Sequence, residues 1–298
     1  MAEQEKMNVK RGNNFGFIFF HFVLRTAGLK HARRMAAVIC VYYLLFDWGA
    51  IKRAMPYVRR LKPDAGFFKH MAFIYRIFVN QAWILLDRAA FNDGLISFDP
   101  ASTGYETFAG LAEQHATGVV LLGAHFGNWQ LASEGLKKLG CRINIVMSPE
   151  TNPAVKTHLK INSAAGNIAY IFTDGPDHGC VEIASALCAG EVVCLMGDRA
   201  YGADTVGVQF LGETAGFPYS AWIIAAKTSS AVIPFFVCKH RDRGYHVRCD
   251  DPVYPVLERG QAVAESVQPL VQQYVRSLEE VICEYPEQCF IFSDVWKR

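Results

Sequence analysis

Past residue 95 the chain alternates short apolar runs with amphipathic segments, and this alternation narrows the possible folds more than any other feature. The runs are Val119–Leu122, Ile143–Met147, Ile168–Phe172, Glu191–Met196 and Ala231–Val237, with Tyr245–Cys249 as a further strand. Helical patterns are expected between them near 128–139, 153–165, 178–189 and 218–229, and a long last helix over 262–284. Short apolar strands separated by helices of about 10–15 residues point to an α/β sheet covered on both faces. With 298 residues the chain can bury a sizeable core. No internal repeat interrupts the pattern. Residues 95–298 read as one α/β domain.

Residues 1–94 have a different character and read as a helical, membrane-facing region. The runs at 15–24 and 35–46 are apolar and aromatic, with Arg25, Lys30, Arg33 and Arg34 between them. Each is shorter than the roughly 20 residues that cross a bilayer as a helix. Such runs with basic flanks fit helices lying in the membrane interface, with core helices of a soluble protein as the alternative. Phe68, Met71, Phe73, Ile74, Ile77, Phe78, Ile84 and Leu85 then recur at helical spacing, until Asn92-Asp93-Gly94 breaks the pattern. Residues 1–70 hold 13 Lys/Arg against 4 Asp/Glu, so the rest of this +2 chain is net negative. A basic first quarter suits anionic lipid head groups. No basic stripe with interleaved aromatics marks a nucleic-acid module, so no nucleic-acid partner is expected. The composition, 51% hydrophobic and 19% charged, also leans towards contact with an apolar phase.

The first 14 residues are polar and of mixed charge, without the pattern of a cleaved leader, so the body of the chain is expected on the cytoplasmic side. Nine scattered cysteines, odd in number and without Cys-x-x-Cys spacing, read as small buried hydrophobes in a reducing compartment. No metal-ligand spacing occurs, and no P-loop, dinucleotide fingerprint or nucleophile elbow appears.

His125 is the residue best placed for chemistry. It follows the strand Val119–Leu122 in Gly123-Ala124-His125-Phe126-Gly127-Asn128-Trp129-Gln130. Functional groups in open α/β sheets gather at the carboxyl ends of strands. Asn128 is a favoured N-cap, so His125 would lie just before a helix N-terminus. The positive end of that dipole keeps the ring neutral, as a general base requires. The same N-terminal amides are candidate oxyanion donors. A lone histidine with a structural role is the alternative.

This stretch resembles the His-x4-Asp/Glu motif of the glycerolipid and lysophospholipid acyltransferase superfamily. It looks most like the branch of late lipid A lauroyl and myristoyl transferases. Further likenesses follow in order over about 120–298. Pro149-Glu-Thr-Asn-Pro153 is similar to that branch's Pro-x-x-Asn-Pro turn. Gly190-Glu-Val-Val193, leading to Asp198-Arg199-Ala-Tyr201-Gly202, resembles its strand and Asp-centred loop. Val206–Gly212, Ala231–Phe236 and the ending Tyr285-Pro286-Glu287-Gln288 with its aromatic tail resemble its later elements. The resemblance implies an α/β fold with a mixed central sheet flanked by helices, behind an N-terminal membrane-associating region. It implies transfer of an acyl chain from acyl carrier protein or acyl-CoA to a hydroxyl, or less readily an amine, of a lipid. His125 would be the base, and no cofactor is needed. Asn128, Arg199, Gly202 and Ser220 are expected to contact substrate, Arg199 through a phosphate. The setting would be the cytoplasmic face of a bacterial inner membrane.

The sequence departs from the motif in two places. Gln130 stands where the family has Asp or Glu. A glutamine oxygen can accept the Nδ1–H bond and fix the tautomer, but it brings no charge to stabilise imidazolium. Glu134, four residues on, or Asp198 at a neighbouring strand end could supply the carboxylate. The acceptor could instead need less activation, or the protein could be a weak catalyst that binds lipid or acyl carrier protein. About ten residues after the Asn-Pro turn the family often has an arginine near a glycine, and in the corresponding segment 160–166 the only cation is Lys160.

Overall fold

The computed structural model describes residues 14–114, 116–137, 139–148, 166–175, 177–200, 202–240 and 244–297. The turn at 149–153, the helix expected near 153–165, Lys160 and Tyr201 lie outside the described residues.

The two N-terminal apolar runs share one element, α1 (Asn14–Phe46). It breaks at Gly28, whose φ of 81° and ψ of 168° are open only to a residue without Cβ. Asp47 starts α2 (Trp48–Leu61), its carboxylate accepting from the Ala50 amide at 2.8 Å. The pattern at 67–91 forms α3 (Phe67–Asn92). Small residues let α1 and α3 pack closely, with Ala32, Ala36, Ala89 and Ala90 buried beside Val23, Leu24 and Leu86. No single helix among the described residues is long and apolar enough to cross a membrane; α1 and α2 pass only as a pair bent by 93°.

The sheet contains β1 (Ala101–Thr103), β2 (Val119–Gly123), β3 (Ile143–Met147), β4 (Ile168–Phe172), β5 (Val192–Met196), β8 (Ala231–His240) and β9 (Gly244–Cys249), in the order β1-β9-β8-β2-β5-β3-β4. All neighbours are parallel except β8 and β9. The sheet is therefore mixed and flanked by helices, as the resemblance implied. Its strands alternate between two cores, as the pleat requires. Val119, Leu121 and Ile233 pack with Phe108 and Ala112 of α4 (Tyr105–Gln114), and with Leu136 of α5 (Trp129–Leu136). Val120, Leu122 and Val232 face the other way. They meet α6 (Cys180–Cys188), α7 (Ser220–Lys227) and α8 (Val263–Glu284) through Leu187, Trp222, Val271 and Tyr274. That second core also contains Ala54, Tyr57 and Val58 of α2 and Phe73, Ile74 and Ile77 of α3.

Three strands were not read from the sequence. The three residues of β1 are all exposed and carry no buried alternation. Residues 205–218 form a separate hairpin, β6 (Thr205–Phe210) and β7 (Glu213–Pro218), turning at Leu211-Gly212 with positive φ at both. A leucine is unusual there. Its backbone N–H donates to Glu279 of α8, which fixes the turn from outside. The cysteines also depart in part from expectation, since Cys180, Cys188 and Cys283 are exposed.

Candidate active site

β2 and β5 are parallel neighbours with Gly123 opposite Met196, and the Gly197 amide extends the ladder by donating to the Gly123 carbonyl at 2.9 Å. Two residues beyond each strand end stand His125 and Asp198. Equal offsets on in-register strands bring the two side chains together. His125 Nδ1 lies 2.9 and 3.0 Å from the two Asp198 oxygens, and the His125 amide donates to the same carboxylate at 3.1 Å. A carboxylate only accepts, so Nδ1 carries the proton and Nε2 is the basic nitrogen. The Asp198 side chain is fully buried, whereas that of His125 retains 24% exposure. Burial pushes the Asp198 carboxyl up. His125, Arg199 and the His125 amide outweigh that effect and hold it below the usual carboxylate range.

The loop carrying His125 is held by its backbone. The amides of His125, Phe126, Gly127 and Asn128 donate to Asp198, the Ala124 carbonyl, the Gln288 carbonyl and the Val237 carbonyl. These four amides are therefore spent, which removes them as oxyanion donors; the expectation that helix-start amides serve that role can apply only from Trp129 onward. Gly127 has φ of 54°, and a Cβ there would stand 1.7 Å from the Val237 oxygen, so the close approach to β8 requires glycine. From the other side, Phe290 N donates to the His125 carbonyl at 2.8 Å, and Tyr274 donates to the Gly123 carbonyl at 2.8 Å. The tail 286–292, quoted above only as a family likeness, is thus part of the site's frame. Tyr57 of α2 anchors it by donating to the Pro286 carbonyl at 2.7 Å.

The remaining expected residues fall into different surroundings. Gln130 Oε1 accepts from Arg88 Nη1, a partner that the sequence reading did not single out. Glu134 belongs to α5, but its side chain lies outside the described residues. Asn128, expected to contact substrate, is buried, its Nδ2 donating to the Tyr245 hydroxyl at 3.0 Å. Its Oδ1 is buried without a hydrogen-bond partner among the described residues. Arg199 Nη2 donates to the Phe290 carbonyl, which ties this cation to the tail. Gly202 and Ser220 are exposed, on the loop beyond Arg199 and at the first turn of α7.

A second buried group adjoins the loop and was not anticipated. Asp87 of α3, 1% exposed, meets Arg33 of α1 through Nε at 3.2 Å and through Nη2. Lys239 Nζ reaches its other oxygen, and Tyr245 donates to that oxygen at 2.6 Å. Burial lowers the Lys239 ammonium pKa against the pull of Asp87. Asp87 follows Ile84 at i+3 and precedes Ala90 at i+3, so it sits on the apolar stripe of α3. A lone carboxylate on that stripe was the signal available in the sequence.

Comparison with known families gives a match to the model described as bacterial lipid A biosynthesis acyltransferase, over residues 102–298, about two thirds of the chain. No curated protein matches.

Proposed function

The chain belongs to the bacterial lipid A biosynthesis acyltransferase family, and from that premise we propose that His125 is the general base of its acyl transfer and Asp198 the carboxylate that supports it. The observation that carries this reading is the His125–Asp198 pair, with Nδ1 bound to a buried carboxylate and the ring edge reaching solvent. The acceptor hydroxyl gives its proton to Nε2 as its oxygen attacks the thioester carbonyl of acyl carrier protein or acyl-CoA. The tetrahedral intermediate collapses, the C–S bond breaks, and the leaving thiolate takes the proton from imidazolium. Asp198 holds the tautomer and stabilises the cation formed midway. Gln130, at the motif's acidic position, is then a neighbour that orders the start of α5 through Arg88 rather than the partner of the base.

The acceptor is a lipid hydroxyl, and the enzyme works on the cytoplasmic surface of the inner membrane. Val38, Tyr42, Leu45, Phe46 and Trp48, around the junction of α1 and α2, and Phe67 and Phe68 at the start of α3 are exposed apolar side chains. With basic residues such as Arg25, Lys30 and Arg34 on the same helices, they fit a layer that inserts shallowly among anionic lipids. Retention on anionic vesicles in high salt is expected from the apolar contribution, and complete release by salt would contradict it.

The test is transfer of labelled acyl chains from acyl carrier protein or acyl-CoA to a panel of lipid acceptors. His125→Ala is expected to lower kcat by about 10²–10⁴-fold. Saturable binding without turnover in the unaltered protein, or full turnover in His125→Ala, would overturn the reading.

A further inference from the structure

The Asp87 cluster reaches the His125 loop by two routes, and they end on adjacent residues. One runs through side chains: Asp87 accepts from Tyr245, and the Tyr245 hydroxyl accepts from Asn128 Nδ2. The other runs through Lys239. Its ammonium pairs with Asp87, while its backbone N–H and carbonyl are gripped by the Gln288 side chain at 2.8 and 2.7 Å. Gln288 in turn accepts the Gly127 amide through its own carbonyl at 2.9 Å. Gly127 and Asn128 are the second and third residues after His125. Arg33 connects the same carboxylate to α1.

The chemistry of the first route argues against a purely stabilising role. Among the described residues, Asn128 leaves Oδ1 buried and unpartnered while its side-chain amide N–H donates to Tyr245. An unmet buried acceptor costs free energy that an apolar side chain at 128 would avoid. What Asn128 provides instead is a directed bond fixing the loop against a phenol that Asp87 holds in place.

We propose that Asp87, Tyr245 and Asn128 form a positioning chain that sets the His125 loop so that the ring meets Asp198, tying the seat of α1 and α3 to the geometry of the base. None of the three touches the reacting atoms; they act through His125. This rests on the assignment of His125 as base.

The test is a double-mutant cycle read in kcat and KM with full-length protein in lipid micelles. Tyr245→Phe removes only the hydroxyl. It is expected to lower kcat by about 10–100-fold with both KM values unchanged, the scale of loss that follows a displaced catalytic group. In an Asp198→Asn background, where the orienting bond is already impaired, the same change is expected to cost no more than about twofold. Asn128→Ala cuts the chain at its other end and should reproduce both results, so that poor folding of one variant leaves the other decisive. Equal fold-losses in the two backgrounds, or losses confined to KM, would overturn the positioning chain while leaving the base assignment intact. Full turnover in His125→Ala would overturn both.

Discussion

Asp198 and Asp87 lie on either side of the His125 loop, both sealed from solvent, yet they are partnered in opposite ways. Asp198 faces a ring that can gain or lose a proton and that keeps an exposed edge. Asp87 faces an arginine, a lysine and a phenol, with no histidine in the cluster. A buried carboxylate beside a titratable, accessible base can stabilise a charge that appears during a reaction. A buried carboxylate between two cations has nothing to respond to and serves as a fastening. Both cost desolvation, and in each case the surrounding bonds offset it. Burial alone therefore does not identify the working carboxylate; the partner's freedom to change charge does.

The largest separation between the two should appear in Asp198→Asn and Asp87→Asn compared side by side. Asp198→Asn is expected to lower kcat by about 10²–10⁴-fold, the range seen when a base loses its orienting carboxylate. Asp87→Asn leaves the partly exposed Arg33 and Lys239 facing a neutral amide, and breaking a cluster around a buried carboxylate costs up to about 3–5 kcal/mol of stability. Chemical denaturation should show that loss directly. An unchanged stability in Asp87→Asn would overturn its role as a fastening.

Acid titration sharpens the same contrast. The folded-state pKa of Asp198 is depressed, so the unfolded chain binds the proton more readily. The stability contributed by its pairing is present above the ordinary carboxylate range and is lost as pH falls through the lower folded value. Denaturation midpoints measured from pH 6 downward should fall more gently in Asp198→Asn than in the unaltered protein. Identical acid slopes would mean that the pair does not hold the carboxyl down.

The first of these carboxylates was read from the sequence, while the second left only its place on the apolar stripe of α3 as a signal and its partners were not legible; the reason is geometric. β2 and β5 are short apolar runs, so their ends, and with them His125 and Asp198, can be located to within a residue or two. Equal offsets from parallel neighbours then do the rest, although the strand order that makes β2 and β5 neighbours is a tertiary fact. The Asp87 cluster draws one residue each from α1, α3, β8 and β9, and no local spacing predicts such a meeting. Gly28 shows the same limit at a smaller scale. The two apolar runs were read as separate helices, and two helical segments do meet there, but the break falls at the single residue Gly28 and not across the whole basic stretch. The β6–β7 hairpin escaped because its turn pairs Gly212 with a leucine at a positive-φ position, which Glu279 of a distant helix holds.

The smallest effect, and the one that bears most closely on the motif, is expected from Gln130→Glu. This restores the acidic residue of the family pattern while leaving both buried carboxylates in place. Gln130 Oε1 already accepts from Arg88, so a carboxylate there gains a charge-assisted bond to that guanidinium. If Asp198 supports His125, the added charge has little left to do at the ring, and kcat should stay within about threefold, since exposed or half-exposed pairs contribute little. A rise of tenfold or more would show that position 130 limits the base. The working carboxylate would then be the one this chain lacks, and Asp198 would join Asp87 as a fastening.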